Sequence, residues 1–256
     1  MKNYKGLLID LDGTMYRGAK VIEEAPRFVK RCREQGIPYL FLTNNSAKTP
    51  DQVAEKLNGM GIPASSENVY TSSMAAASYV SHHRPQAKVY MIGEEGLKQA
   101  LEKQGMTFVE EGADVVVVGI DRGLSYEKLG RAARNIEKGA LFVSTNGDKA
   151  IPSEEGFLPG NGAITEAIAL TAGIRPIFTG KPEAIVVDEA LDQLGISKAE
   201  ALLVGDNYYT DILAGIHSGI DTLMVETGAT SFKELNDVQA QPTYKIKTLD
   251  EWSFFS

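Results

Sequence analysis

Strand-like and helix-like segments alternate along almost the whole of this 256-residue chain, and no other feature of the sequence limits its fold so strongly. A short apolar run followed by ten or more residues at helical spacing reads as one β-α unit. A series of such units builds a parallel sheet covered by helices on both faces. GLLID (6–10) is followed by IEEAPRFVKRCREQG (22–36), which keeps helical periodicity up to a terminal glycine. PYLFLTNN (38–45) precedes TPDQVAEKLNGMG (49–61), where Thr49 suits an N-cap and Pro50 the first turn. Towards the other end, EAIVVDEALDQLG (183–195), ALLVGDN (201–207), TDILAGIHSG (210–219) and IDTLMVETG (220–228) continue the alternation.

Between these two series lies another set. AKVYMIG (87–93), ADVVVVGID (113–121) and GALFVSTN (139–146) read as strands, with helices expected near 95–104, 125–138 and 163–172. By periodicity alone this set either extends one long sheet or forms a separate inserted domain, and the motifs described next favour insertion. The expected organisation is a doubly wound parallel-sheet core over 1–79 and 178–256, with an α/β cap domain inserted at 80–177.

Composition narrows the class. Apolar residues make up 43% and charged residues 23%, as in ordinary globular domains, so disordered and fibrous classes are excluded. The longest apolar runs, such as VVVV at 115–118, are far shorter than a membrane span. The opening MKNYKGLLID is unlike a secretory leader, and the expectation is a cytoplasmic protein with no membrane partner. A net charge of −8 disfavours nucleic acid as a partner, while leaving a small anionic substrate open. Cys32, the single cysteine, sits at helical spacing from Ala25, Phe28 and Val29 and reads as a buried apolar residue.

Function in open parallel sheets gathers past the carboxyl ends of strands, and four such places here carry reactive or anion-binding residues. They are DLDGT (10–14), LTNN (42–45), Lys181 in TGKP, and GDNYYTD (205–211). Taken together and in this order, they resemble the motifs of the haloacid dehalogenase superfamily. The flanking elements are similar to that family's core, and the middle block to a large cap. Because the insert enters after the second motif and leaves just before Lys181, it is similar to the C2-type cap of the NagD-like phosphatases.

That resemblance implies a hydrolase of small phosphorylated metabolites in which Asp10 is the nucleophile and carries the phosphoryl group. Asp12 then acts as general acid and base, since side chains two apart on an extended segment project to one side. Thr43 and Asn44 would donate hydrogen bonds to phosphoryl oxygens, and Lys181 would supply positive charge beside Asp10. Two unit charges about 4 Å apart repel by about 4 kcal/mol at an effective dielectric near 20, so a carboxylate that attacks a phosphate needs a cation. Mg²⁺ is the expected cofactor, held by Asp10, Asp206 and the backbone carbonyl of Asp12, with Asp211 at the edge of its shell.

In the cap, TNGD and PGNGA resemble sequences of the same subfamily. Asn146 and Asp148 are the candidates for touching the variable part of the substrate, and the competing reading is an ordinary Gly/Pro/Asn loop. Tyr208 and Tyr209 suit either a pocket wall or packing, and the three histidines read as structural. A phosphomutase on the same core and a non-catalytic phosphometabolite-binding protein are the alternatives. The sequence leaves the physiological substrate and any homo-oligomer open.

Overall fold

The computed structural model describes residues 2–153 and 155–253, which fall into two compact units. One takes the residues up to Thr43, Pro50–Tyr70 and those from Lys181 onward; the other takes Asn44–Thr49 and Thr71–Gly180.

The first unit is built on a six-stranded sheet in the order Tyr244–Ile246, Asp221–Val225, Ala201–Gly205, Gly6–Ile9, Tyr39–Thr43, Val69–Thr71. Neighbours run parallel from the Tyr244–Ile246 strand across to Tyr39–Thr43. Every residue of the three central strands is buried, as expected where helices cover both faces. The period of two divides their side chains. Leu7, Ile9, Tyr39, Phe41, Leu202 and Val204 share one core with Phe28, Val29 and Cys32 of the helix Ala25–Glu34. The helix Ala184–Leu194 covers the other face, against the Gly6–Ile9 and Tyr39–Thr43 strands.

The second unit repeats the logic with a five-stranded, wholly parallel sheet. Its order is Ile177–Phe178, Leu141–Ser144, Val115–Val118, Lys88–Ile92, Thr107–Phe108. Tyr90, Val116, Val118 and Phe142 face Ile136, Ile164 and Ile168 of two helices. Val89, Val115 and Val117 face Ala76, Val80, Leu97 and Leu101 of two others. A small antiparallel hairpin, Ala150–Ser153 with Gly156–Pro159, stands apart from this sheet, where the sequence suggests only a loop.

The boundary expected at 79/80 falls inside the helix Ser72–His83, and the structure moves it to 70/71. Ala76, Ala77 and Val80 of that helix are buried among the second unit's valines, so no linker separates them. The return crossing is at 180/181 rather than 177/178. Residues 44–49 also belong to the second unit, because Ser46 accepts from Ile120 N and its carbonyl accepts from Ser73.

Trp252 ends the 3₁₀ turn Leu249–Glu251 and packs against Tyr4 and Tyr244 beside the first core, and the phenylalanine pair at 254–255 lies outside the described residues. Among the described residues, no helix is long and apolar enough to cross a membrane. Phe28 has no exposed surface at the centre of the first core, so Phe28→Ala should destabilise the protein by about 3–5 kcal/mol. Denaturant titration checks this, and a loss below about 1 kcal/mol would contradict the assignment.

Candidate active site

Three carboxylates and one ammonium converge past the carboxyl ends of the first unit's central strands. Asp10 follows the strand Gly6–Ile9, and Asp206 follows its parallel neighbour Ala201–Gly205. Lys181 precedes the helix Ala184–Leu194, and its ammonium donates to Asp10 Oδ1 at 2.5 Å, to Asp211 Oδ1 at 2.6 Å and to Leu42 O at 3.3 Å. One carboxylate oxygen from each of Asp10, Asp206 and Asp211 lies within 4.8 Å of the other two.

The local backbone explains this placement. Residues Tyr208–Ile212 form a π-helical turn, in which Ile212 N bonds back to Asn207 O. The wider turn swings Asp211 towards Lys181 while its Oδ2 accepts from Asn207 N at 3.0 Å. Asp206 is gripped from two directions, by Thr14 Oγ1 at 3.1 Å and by Ala229 N at 2.6 Å. Two glycines permit this close approach. A Cβ on Gly13, whose φ is +97°, would sit 2.3 Å from Asp206 Oδ2, and one on Gly228 would sit 1.8 Å from the same atom.

Burial is the largest influence on these charges. It pushes Asp10 up to about 6 against the pull of Lys181, with Asp206 adding to the rise. Asp206 and Asp211 are also raised to about 6 by burial, each aided by a neighbouring carboxylate. Burial alone would lower Lys181, but Asp10 and Asp211 outweigh it and hold the ammonium above its ordinary range. With all four groups ionised the cluster carries two negative charges in excess. Asp10 Oδ2 is buried and has no hydrogen-bond partner among the described residues. An orphaned carboxylate oxygen beside two further carboxylates is a hard, oxygen-only donor set that fits a small divalent cation.

Of the other residues singled out in the sequence, Asp12 is exposed and Thr43 is buried at the end of its strand. Asn44, Asn146 and Asp148 meet one another inside the second unit. Asn44 Nδ2 donates to both Asp148 oxygens at 3.3 Å, and Asn146 Nδ2 donates to Asn44 O at 2.9 Å. Tyr208 packs with Ile212, Met224 and Leu235 and donates to Ala240 O, while Tyr209 is exposed. His83 bonds Tyr79 O and stacks on its ring, and His217 bonds Pro182 O.

Thr14, Gly228 and Ala229 also hold the site, and no sequence motif singles them out. Thr14 was within reach as the last residue of DLDGT. Gly228 and Ala229 arrive from the turn after a different strand, and only the glycine ending IDTLMVETG hinted at them.

Comparison with known proteins identifies the family. Residues 7–107 match a family model described as haloacid dehalogenase-like hydrolase, and residues 178–252 match a second, HAD-hydrolase-like model. The chain is 53% identical to a 5'-nucleotidase of Bacillus subtilis over 98% of both chains. It is 49% identical to an acid sugar phosphatase of Staphylococcus haemolyticus, covering 98% of this chain and 95% of the relative. Among solved structures, a thermostable NPPase from Geobacillus stearothermophilus superposes with a TM-score of 0.94 at 51% identity, covering 99% and 100% of the two chains. A 4-nitrophenylphosphatase from Thermotoga maritima gives 0.91 at 31% identity, covering 97% and 96%. With so much of each chain matched at such identity, the chain belongs to the haloacid dehalogenase-like hydrolases, and within them it is a NagD-like phosphatase, a hydrolase of phosphoric monoesters.

Proposed function

We propose that this phosphatase works through a phosphoryl group carried transiently on Asp10. The observation that supports the reading best is the division of labour within one carboxylate: Oδ1 is held by Lys181, and Oδ2 is buried with no hydrogen-bond partner among the described residues. A carboxylate whose orientation Lys181 fixes before the reaction begins suits in-line attack on phosphorus, while its second oxygen would be the one to face the cation.

In the first step, an Asp10 oxygen forms a bond to phosphorus while the bond from phosphorus to the ester oxygen breaks. Asp12 gives its proton to the departing alcohol. In the second step, water bonds to phosphorus, Asp12 takes a proton from that water, and the bond to Asp10 breaks to release phosphate. Asp12 suits this role because it is exposed, two residues from Asp10 on the same loop. The Lys181 ammonium, with hydrogen bonds from the hydroxyl of Thr43 and the N–H of Asn44, would balance the charge on the phosphoryl oxygens. Asp10, Asp206 and the carbonyl of Asp12 would hold Mg²⁺, with Asp211 bracing Lys181 beside them, and the ion would supply Lewis-acid neutralisation of the phosphate.

The substrate class we infer is small phosphate monoesters, nucleotide or sugar phosphate among them. The activities of its relatives support it, and the chain's net charge of −8 speaks against a nucleic-acid partner.

Asp10→Asn keeps the size of the side chain but removes its charge, and should lower turnover of 4-nitrophenyl phosphate by at least about 10³-fold. Near-native hydrolysis by that variant would sink the nucleophile assignment. The cation has a readout independent of turnover. At about a hundred times its dissociation constant, Mg²⁺ should stabilise the fold by about 2.7 kcal/mol, a rise in Tm of roughly 5–10 °C. Asp206→Asn should lose that rise, and a wild-type Tm indifferent to Mg²⁺ would contradict the donor set.

A further inference from the structure

The chain passes between its two units after Thr43, Thr49, Tyr70 and Gly180. Inside the second unit, residues beside three of these crossings meet on a single loop. The carbonyl of Asn44 accepts from Ser72 Oγ at 2.8 Å and from Asn146 Nδ2 at 2.9 Å. The side chain of Asn44 donates to Asp148. Gly180 lies so close that a Cβ there would fall 2.3 Å from Thr145 O, 2.7 Å from Asn44 Oδ1 and 3.1 Å from Asn146 Cβ.

The loop that receives these contacts is itself fixed. Asn146 Oδ1 accepts from Asp148 N at 3.1 Å, and Asn146 O accepts from the buried Asn161 Nδ2 at 2.7 Å. Asn146 is only 3% exposed. For Asn146 to turn to a substrate, it would have to leave Asn44 O, Thr145 Oγ1 and Asp148 N, so three bonds would be lost to make one. Its neighbours, however, adjoin the reaction: Asn44 follows Thr43 in the chain, and Gly180 precedes Lys181.

We propose that Asn146 and Asp148 are positioning residues. They fix Asn44, against which Gly180 packs closely, and through the adjoining peptide bonds they set the placement of Thr43 and Lys181 for phosphoryl transfer, in place of reading the substrate's leaving group. The inference rests on the phosphatase reading of the Asp10 site. It matters because phosphoryl transfer depends on placement and charge, and a misplacement of about 1 Å can cost about 10²-fold.

The test compares Asn146→Ala, Asp148→Ala and Asp148→Asn in the full-length, Mg²⁺-loaded protein, well below each variant's Tm. Two substrates are used: 4-nitrophenyl phosphate, and whichever of AMP and glucose 6-phosphate the wild type turns over faster. Both alanine variants should lose at least about tenfold in kcat (about 1.4 kcal/mol) by the same factor on both substrates, with KM within about threefold. Asp148→Asn keeps an oxygen for the Asn44 amide and should stay within about threefold of wild type. Loss on the metabolite with the aryl phosphate spared would overturn the proposal in favour of direct recognition, and so would unchanged kcat on both. Should an alanine variant not fold, Asp148→Glu retains the charge but displaces the carboxylate. It must lower kcat alike on both substrates, and sparing either one would overturn the proposal. Wild type and Asp10→Asn in the same assay decide the site reading separately.

Discussion

Burying an ammonium removes it from water, and only close carboxylates can compensate for that loss. Lys181 meets this condition by lying between Asp10 and Asp211, at 2.5 and 2.6 Å. The arrangement is reciprocal. Asp10 is held at one oxygen only, and Asp211 gives one oxygen to Lys181 and the other to Asn207 N. Removing Lys181 would leave two buried carboxylates uncompensated, and breaking a buried pair in this way typically costs about 3–5 kcal/mol. Asp206 stands outside this pair, gripped by Thr14 and Ala229, and with it the cluster carries more negative charge than one lysine offsets. Such a site is stable in isolation only at some cost in burial, visible in three carboxylates raised to about 6.

The sheet supplies what this balance needs. Asp10 and Asp206 follow adjacent parallel strands whose registers pair Ile9 with Val204, so their carboxylates are brought close by the ladder itself. Glycines at 13 and 228 then let two loops fold over Asp206 without side chains between. The parallel sheet of the second unit is built by the same alternation, but the chemistry-bearing residues at its strand ends, Thr145, Asn146 and Asp148, bind to each other and to Asn44, where the chain enters that unit.

Much of this was legible in the sequence, for identifiable reasons. Parallel strands buried on both faces read as continuous apolar runs, and each abrupt switch to polar residues marked a strand end; Asp10, Thr43 and Asp206 were all found that way. The partner of Asp211 was not legible. Its spacing from Asp206 pointed to the edge of a metal shell, and its carboxylate does lie with those of Asp10 and Asp206, but the π-helical turn also sets one of its oxygens against Lys181, which no spacing reports. Ala229 grips Asp206 through its backbone N–H, which no side-chain pattern reports. The unit boundary at 70/71 carries no glycine or proline signal, because the helix Ser72–His83 packs without a linker. TNGD was noticed for its polar residues, but their pairing with Asn44 depends on contacts about a hundred positions apart in the chain.

The central claim is that the phosphoryl group passes through Asp10. Rapid acid quenching of turnover with phosphorus-labelled 4-nitrophenyl phosphate tests it most directly, followed by proteolysis and mass spectrometry. Label on the peptide that contains Asp10, released by hydroxylamine and absent from the Asp10→Asn variant, is the result this account predicts. Turnover with no label at any quench time sufficient to trap a covalent species, or label that persists when Asp10 is replaced, would contradict it.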